Sequence, residues 1–301
     1  MHVEQRTIAA QATCSGVGLH SGKTVNLTIK PAPPNHGIQF TRTDLPDSPK
    51  ISALFNRVVD TSLATVIGYN GFIVSTIEHL MAAFAGLYID NALVELDDYE
   101  VPVMDGSAGP FTRMILKAGI KTQNHPKHFF IVKNPIELKH DDKSVCVYPS
   151  DTPRITCAID FAHQSVKQQT FTAPLSETTF EKDICQARTF GFLQEVEYLK
   201  RYGFAKGGSL KNAVVLDESG IMNEEGLRYE DEFVRHKLLD CIGDFSLLGL
   251  PILGHLVLSK SGHAFNHEFL KTFLDQKDSW ETCSFPRMGQ EARCQPKSLA
   301  I

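Results

Sequence analysis

The segment from Glu230 to Asp244 is predicted to be a helix that carries polar side chains along one face. His236, Asp240 and Asp244 follow one another at intervals of four residues, so a helix with about 3.6 residues per turn places them on one stripe. A histidine and an aspartate at this spacing can bind the same metal ion. Such a pair also occurs on helix surfaces or as a buried hydrogen bond, and the spacing alone leaves these alternatives open.

A second segment, residues 75–86, offers another histidine beside a carboxylate. Its apolar side chains fall at helical spacing and predict a short buried helix, with Ser75 as the N-cap and Gly86 just after the end. His79 lies on the opposite face, which is otherwise formed by small residues, so another group can approach closely. Glu78 fits a capping box with Ser75, in which the glutamate bonds to the N-cap amide. The local sequence favours this capping role over that of a catalytic base.

A catalytic zinc ion usually has three protein ligands and an open position for water, whose pKa it lowers to about 7. His236 and Asp240 would supply two ligands, and His79 is the best candidate for the third. Glu78 would then lie beside the water as a base. Two similar halves of the chain, packed through these helices, would bring the residues together.

Hydrolysis also requires an acid that protonates the leaving group. His263 follows the last predicted strand, next to Gly262, where it could face a substrate; an incidental loop histidine is the alternative interpretation. Asp244, one helical turn beyond Asp240, could bind this histidine and favour its protonated form. The helix would then serve both the metal and the acid.

A glycine-rich segment near the N-terminus superficially resembles a phosphate-binding loop. Five residues separate Gly16 from Gly22, where such a loop has four, and a strand is predicted where the loop requires a helix. We therefore reject a nucleotide triphosphatase and predict a tight turn. Leu19 and His20 could line a ligand site there instead.

The composition is that of an ordinary globular protein, with 42% hydrophobic and 22% charged residues among 301. A formal net charge of −5 and a pI near 6.2 give no basic surface for nucleic acid, so we expect no nucleic-acid partner. The N-terminus lacks the pattern of a secretory signal, and no apolar run reaches the ~18 residues of a membrane span. We expect a cytoplasmic protein.

The seven cysteines are odd in number, scattered along the chain, and include no C-x-x-C pair. This distribution favours reduced thiols and argues against a thiolate zinc site. Any metal must then be bound by histidine and carboxylate side chains.

The predicted elements repeat one order in the two halves of the chain. Each half has several strands, a helix closed by glycine (76–86 and about 230–248), another strand (91–96 and 253–259), a turn and a final helix. This order predicts an α+β fold of two domains with similar topology, each a sheet covered by helices.

Polar residues at 121–127 suggest the boundary between the two domains. We therefore place the first domain at 1–124 and the second at 125–282. The regular pattern fades beyond Trp280, and residues 283–301 are predicted to form an irregular C-terminal tail.

Six motifs occur in a fixed order along the chain: SGVGLH at 15–20, STIEHL at 75–80, MDGS at 104–107, ARTFGF at 187–192, EDEFVRHKLLD at 230–240 and KSGH at 260–263. Together they resemble the motifs of the UDP-3-O-acyl-N-acetylglucosamine deacetylases, the zinc amidases of lipid A biosynthesis in Gram-negative bacteria. The similarity spans roughly residues 2–280, and the tail after about residue 283 lies outside it.

The resemblance implies a layered sandwich of two domains with the active site between them. The implied ligands of Zn2+ are His79, His236 and Asp240. Glu78 would be the base that activates water, and His263 the acid that protonates the glucosamine nitrogen. Thr189 would help to stabilise the tetrahedral oxyanion, and Asp244 would orient and charge His263.

The resemblance also implies an acylated UDP-amino sugar as the small-molecule substrate. Phe190 would contact the hexosamine and Phe161 the uracil. The lysines implied near the diphosphate are Lys237, Lys143 and Lys260. An insert in the second domain would form an apolar passage for the acyl chain, lined by Phe192, Leu193, Val196 and Leu199. Each of these four residues could equally be an ordinary core residue.

The favoured function is zinc-dependent removal of acetate from UDP-3-O-acyl-N-acetylglucosamine, a committed step of lipid A biosynthesis. A metallopeptidase is disfavoured because the chain lacks H-E-x-x-H. The alternative from another class is a non-catalytic, metal-stabilised binder of an acylated nucleotide sugar. The presence of Glu78 and His263 beside a set of metal ligands argues against a non-catalytic binder.

Overall fold

The computed structural model describes residues 2–285 and 293–295 of the chain. It shows a mixture of helices and sheets in which two five-stranded sheets are the largest units. The predicted α+β fold class is therefore confirmed. None of the helices in the described ranges is both long enough and apolar enough to cross a membrane.

The first half of the described chain consists mainly of short strands. In chain order its elements are β1 Glu4–Ile8, β2 Ala12–Val17, β3 Thr24–Pro31, β4 Ile38–Arg42, β5 Lys50–Ser52, β6 Val58–Asp60, β7 Val66–Tyr69, β8 Phe72–Val74, α1 Glu78–Gly86, β9 Ala92–Leu96 and α2 Gly109–Ala118.

The second half contains longer helices. Its elements are β10 Ile120–Pro126, β11 His128–Val132, β12 Ile136–His140, β13 Lys143–Tyr148, β14 Arg154–Phe161, β15 Lys167–Pro174, α3 Glu177–Thr179, β16 Phe190–Phe192, α4 Leu193–Arg201, β17 Val214–Asp217, β18 Gly220–Ile221, α5 Glu232–Phe245, β19 Ile252–Leu253, β20 His255–Ser259, α6 His263–Asp275, β21 Trp280–Ser284 and β22 Arg293–Gln295.

The two large sheets have the same topology. Their strand orders are β2-β3-β9-β4-β5 and β12-β13-β20-β14-β15. In each sheet a later strand, β9 or β20, lies between two antiparallel hairpins, antiparallel to one and parallel to the other. That strand follows α1 in the first half and α5 in the second. The predicted repeat of one element order is thus confirmed.

The strands contribute alternate side chains to an apolar core that both halves share. In β3 the side chains of Val25, Leu27 and Ile29 are fully buried, and the residues between them are at least partly exposed. Buried apolar residues of both halves form one continuous core cluster. The two sheets and their helices therefore share a single apolar interior.

Helices α1 and α5 pack directly against each other at the centre of this interior. The contact is closest at Gly243 of α5, where an added Cβ would lie 2.1 Å from the carbonyl oxygen of Glu78. Ala82 and Ala83 keep the buried part of α1 narrow. Small residues thus allow the two helix backbones to approach closely.

The predicted N-terminal cap of the first helix is wrong. Helix α1 begins at Glu78, and Ile77 occupies the N-cap position without a side-chain hydrogen bond. The backbone N–H of Ser75 instead donates to the carbonyl oxygen of Tyr99 at 2.7 Å. Gly86 is the last helical residue rather than the residue that follows the helix.

Strands occur at the predicted domain boundary and at the start of the predicted irregular tail. The polar stretch 121–127, taken as the boundary, lies mostly in β10, which pairs antiparallel with β1. Within the predicted tail 283–301, residues 283 and 284 belong to β21, which pairs with β22. Residues 286–292 and 296–301 lie outside the described residues. In both segments, backbone hydrogen bonds to strands that are distant in sequence stabilise a strand that the local composition did not predict.

The cysteines largely agree with the expectation of reduced thiols. The free thiols are Cys14, Cys146, Cys157, Cys185 and Cys241. Cys283 is disulfide-bonded, so the expectation fails at this position. Backbone pairing of β21 with β22 places Cys283 opposite Cys294.

Gly243→Ala is expected to lower the free energy of unfolding by about 1–3 kcal/mol, although alanine normally favours a helix. The added methyl group would overlap the Glu78 carbonyl group, which belongs to the backbone and cannot rotate away. Chemical denaturation measures the change. Gly109→Ala in α2 is the control, since the three atoms nearest to its methyl group would all belong to the flexible Gln186 side chain. Wild-type stability of Gly243→Ala would contradict the close helix contact.

Candidate metal centre

Three buried side chains converge where α1 meets α5. One ligand atom each from His79, His236 and Asp240 lies within 4.8 Å of the other two. The Nε2 atoms of His79 and His236 are 3.5 Å and 3.2 Å from Oδ1 of Asp240. The two imidazole rings meet edge to face, with centroids 5.0 Å apart. The structure therefore brings together all three predicted ligands.

The hydrogen bonding of His236 shows which ring nitrogen is available to a metal. Its Nδ1 lies 3.0 Å from the carbonyl oxygen of Ala187. A carbonyl oxygen can only accept, so Nδ1 carries the proton. In the neutral ring, Nε2 then presents a lone pair to the Asp240 carboxylate 3.2 Å away. Two acceptors this close repel each other unless a cation lies between them, so the side chains fit a metal ion.

The ionisation of the cluster also suits a metal. Burial lowers the pKa of His236 from 6.5 to about 4, although Asp240 opposes this shift. Burial raises the pKa of Asp240, but His236 and Lys237 outweigh it and hold that pKa well below its ordinary value. Nζ of Lys237 lies 2.9 Å from Oδ2 of Asp240. Neutral imidazole and ionised carboxylate are the forms that bind metals.

Glu78 lies beside the cluster and does not cap its helix. Its Oε2 accepts a hydrogen bond from the N–H of Thr65 at 3.0 Å, and its Oε1 lies 4.0 Å from Nε2 of His263. The capping-box interpretation is therefore wrong. Burial raises the pKa of Glu78, partly opposed by His263 and His79. A carboxylate with a raised pKa binds a proton more readily than an ordinary one.

His263 begins α6 and is bound by a polar network, so it is not a loop histidine. Its Nδ1 lies 2.8 Å from Oδ2 of Asp244. The same carboxylate accepts hydrogen bonds from Oγ1 of Thr65 at 2.6 Å and from Nδ2 of Asn266 at 2.8 Å. Burial lowers the pKa of His263, but the charge and hydrogen bond of Asp244 outweigh it and raise this pKa to about 10. His263 is therefore cationic at neutral pH.

Residues 5–275 match the family model of LpxC, UDP-3-O-acyl N-acetylglycosamine deacetylase. The chain belongs to this family. A UDP-3-O-acyl-N-acetylglucosamine deacetylase from Myxococcus xanthus (strain DK1622) is 50% identical over 277 residues, which cover 92% of this chain and 88% of that protein.

Two further LpxC relatives carry the same name. The protein from Syntrophus aciditrophicus (strain SB) is 47% identical over 281 residues, covering 93% of this chain and 89% of the relative. The protein from Teredinibacter turnerae (strain ATCC 39867 / T7901) is 47% identical over 285 residues, covering 94% of each. The range matched by the family model, residues 5–275, spans both halves of the fold.

Aromatic side chains border the metal centre of this LpxC-family chain. The ring centroid of Phe190 lies 6.4 Å from that of His236 and 5.7 Å from that of Phe161. Nζ of Lys237 lies 5.7 Å from the Phe190 centroid. Three of the predicted substrate contacts, Phe161, Phe190 and Lys237, are therefore close to the predicted ligands.

The other two predicted lysines have different surroundings. Nζ of Lys260 lies 3.0 Å from Asp142 and 2.9 Å from Asp160. Lys143 is exposed at the start of β13, opposite His140 in the β12–β13 hairpin. An anionic ligand of Lys260 would have to compete with two carboxylates.

The glycine-rich segment after β2 is a turn that leads into β3, as predicted. The carbonyl oxygen of Leu19 accepts a hydrogen bond from the N–H of Gly207 at 3.0 Å. The His20 ring lies 6.3 Å from the Phe204 ring, and its two buried nitrogens have no hydrogen-bond partner among the described residues. This loop of the first half therefore contacts the segment that follows α4.

The predicted oxyanion residue and the predicted passage residues lie close together in the sequence, at β16 and α4. Thr189 is half-buried, and its backbone N–H donates to the carbonyl oxygen of Gly106 at 2.8 Å. The passage residues are all half-buried: Phe192, Leu193, Val196 and Leu199. Helix α4 contains no buried residue. These side chains thus lie nearer the surface than those of ordinary core residues.

Sequence reasoning missed two residues that support the site. The backbone N–H of Thr65 donates to Glu78 and its hydroxyl group donates to Asp244, and the Asn266 side chain also donates to Asp244. Asn266 follows His263 by three residues on α6, so helical spacing could have revealed it. Thr65 precedes β7 and carries no signal in the local sequence.

A mostly apolar cavity of about 250 Å³ lies elsewhere on the two central helices. The residues of α1 and α5 that line it include Met81, Phe84, Ile242 and Phe245. None of the side chains of the metal centre lines it. The cavity is therefore separate from the chemistry described above.

Asp244→Asn is expected to lower the pKa of His263 from about 10 toward its ordinary value of 6.5, because the charge that outweighs burial is lost. NMR titration of the metal-free protein measures this pKa. In the wild type, His263 stabilises the fold fully below pH 6.5, and this contribution is lost as the pH rises through about 10. The variant should lack that decline. An unchanged pKa would contradict the assigned pairing.

Proposed function

We propose that this chain hydrolyses the N-acetyl group of UDP-3-O-acyl-N-acetylglucosamine, a step of lipid A biosynthesis, to release acetate and UDP-3-O-acyl-glucosamine. The observation that carries the proposal is a buried group of three side chains that could bind a metal ion, with Glu78 and His263, 4.0 Å apart, beside it. A base and an acid next to a metal are what amide hydrolysis requires. Membership of the LpxC family supports the substrate class.

The metal in this proposal is Zn2+, bound by His79, His236 and Asp240. Two imidazoles and one carboxylate are a ligand set that catalytic zinc uses. When bound, zinc would supply Lewis acidity toward the acetyl carbonyl oxygen and make water more acidic. Lys237 would hold the second oxygen of Asp240, which it contacts at 2.9 Å.

Glu78 is the proposed general base. The Thr65 N–H fixes Oε2 of Glu78, and the other oxygen is directed toward His263. This oxygen would accept the proton of the attacking water. The raised pKa of Glu78 favours that transfer, because a general base works best when its pKa approaches the working pH.

His263 is the proposed general acid. Its Nδ1 is engaged by Asp244, so Nε2 carries the proton that can be transferred to the glucosamine nitrogen. A pKa of about 10 keeps this proton in place at neutral pH until the leaving nitrogen becomes basic. Asp244 acts through His263, as the group that orients and charges it.

The substrate would lie along the second-half insert. We propose that Thr189 stabilises the oxyanion, Phe190 contacts the hexosamine and Phe161 the uracil. Lys237 is the proposed phosphate contact nearest the metal centre. The proposed outer contacts are Lys143, Lys260 and Leu19. Half-buried apolar side chains would line the acyl passage: Phe192, Leu193, Val196 and Leu199.

We further propose that residues 1–124 and 125–282 are the two domains. Glu78 and His79 come from the first, and the remaining metal-centre residues come from the second. The substrate would then bind where the domains meet, at the contact between α1 and α5. A cytoplasmic location stays an expectation from the sequence.

Metal analysis combined with an acetate-release assay on UDP-3-O-acyl-N-acetylglucosamine tests the function. The purified protein should contain zinc and release acetate. Glu78→Gln should retain zinc and lose about 10²- to 10⁴-fold in rate, because it removes the base alone. Tight substrate binding by the zinc-loaded wild type without acetate release would favour the non-catalytic binder. Near-normal turnover of Glu78→Gln would exclude its role as base.

His236→Ala and Asp240→Ala are each expected to contain substoichiometric zinc after dialysis, because only two of the three ligands remain. Elemental analysis measures the zinc content. His255→Ala is the matched control, since this histidine of β20 binds Thr156 and lies outside the cluster. Full zinc occupancy in both ligand variants would contradict the assigned site.

A further inference from the structure

Glu232 at the start of α5 is fully buried, and the proposed reaction assigns it no role. Its carboxylate accepts hydrogen bonds from the backbone N–H of Arg188 at 2.9 Å and from Nε and Nη2 of the same arginine at 2.8 Å and 3.1 Å. It also accepts from the backbone N–H of Arg228 at 2.6 Å. Four donors therefore fix the position of this buried carboxylate.

The peptide unit between Ala187 and Arg188 connects Glu232 to the metal centre. Its N–H donates to Oε1 of Glu232 at 2.9 Å, and its carbonyl oxygen accepts from Nδ1 of His236 at 3.0 Å. Glu232 and His236 are one helical turn apart on α5, so their side chains can bind the two ends of one peptide group. Rotation of this plane would break both hydrogen bonds.

We propose that Glu232 is a positioning residue that, through the Ala187–Arg188 peptide, holds His236 in the tautomer with a free Nε2. The inference rests on the proposed function in that Nε2 is taken to be a zinc ligand. A negative charge hydrogen-bonded to the peptide N–H also makes the carbonyl oxygen a stronger acceptor. Groups that hold ligating histidines in this way typically contribute about 10- to 100-fold in metal affinity.

Arg188 allows this carboxylate to be buried. An unpaired buried charge is strongly unfavourable, and the fork of Arg188 pairs with both oxygens of Glu232. Nη1 of Arg188 also lies 2.8 Å from Glu225, whose side chain is 59% exposed. Glu225 shares the arginine but does not contact the Ala187–Arg188 peptide through any described hydrogen bond, so it provides a matched comparison.

Transfer of zinc from the loaded protein to a chelator is the first test. Glu232→Gln is nearly isosteric but removes the negative charge. It also replaces one acceptor oxygen by an NH2 group, which cannot accept hydrogen bonds from the N–H groups of Arg188 and Arg228. We expect it to release zinc about 10- to 100-fold faster than the wild type. Glu225→Gln should stay within about twofold of the wild type, because an exposed ion pair contributes little.

NMR of the histidine ring nitrogens in the metal-free protein is the second test, and it depends on neither zinc nor activity. His236 should be protonated at Nδ1 alone in the wild type and in Glu225→Gln. Glu232→Gln should show a mixture of tautomers. If Glu232→Gln does not fold, Glu232→Asp keeps the charge, shortens the side chain by one methylene, and should give the same mixture.

Wild-type zinc release together with a single Nδ1–H tautomer in the folded Glu232 variant would overturn the positioning role. A wild-type protein that binds no zinc would instead contradict the proposed function. The tautomer measurement would still decide whether Glu232 positions His236.

Discussion

The close contact between α1 and α5 is the constraint on which the metal centre depends. The two helices come from different halves of the chain, and each brings part of one ligand set. Helices usually pack with axes about 8–10 Å apart, and the nearer limit requires small residues at the contact. At Gly243 the α5 backbone meets the Glu78 carbonyl group directly. Ligand atoms that lie within 4.8 Å of one another would separate if this contact widened.

The contact also buries charge, and the arrangement of that charge explains the chemistry. The carboxyl groups of Glu78, Asp240 and Asp244 are almost fully buried near two cationic side chains, Lys237 and His263. Asp240 pairs with Lys237, and Asp244 pairs with His263. The site therefore favours additional positive charge, which a divalent cation would supply. Glu78 has only the more distant His263, whose Nε2 lies 4.0 Å from its Oε1, and burial outweighs this cation and raises the pKa of Glu78.

Local spacing predicted those parts of the structure that depend on neighbours in sequence. The stripe of His236, Asp240 and Asp244, the alternation in β3 and the repeated element order are all present. The prediction of a capping box at Ser75 is wrong because a glutamate at this spacing can equally well bind a residue outside its helix. Whether Glu78 caps its helix depends on Thr65, which offers a buried N–H to the glutamate. No local pattern reports such a contact between distant elements.

The repeated topology also explains how the site divides its tasks. The turn before α6 leads directly into His263, the first residue of that helix, and the equivalent turn before α2 contains Asp105 and Gly106. Asp105 pairs with Arg228 at 3.1 Å, and the Gly106 carbonyl oxygen accepts the N–H of Thr189 at 2.8 Å. One copy of the turn thus presents the charged histidine, and the other supports the segment that binds His236. Two halves with one topology can therefore enclose a site whose two sides differ chemically, because equivalent positions carry different residues.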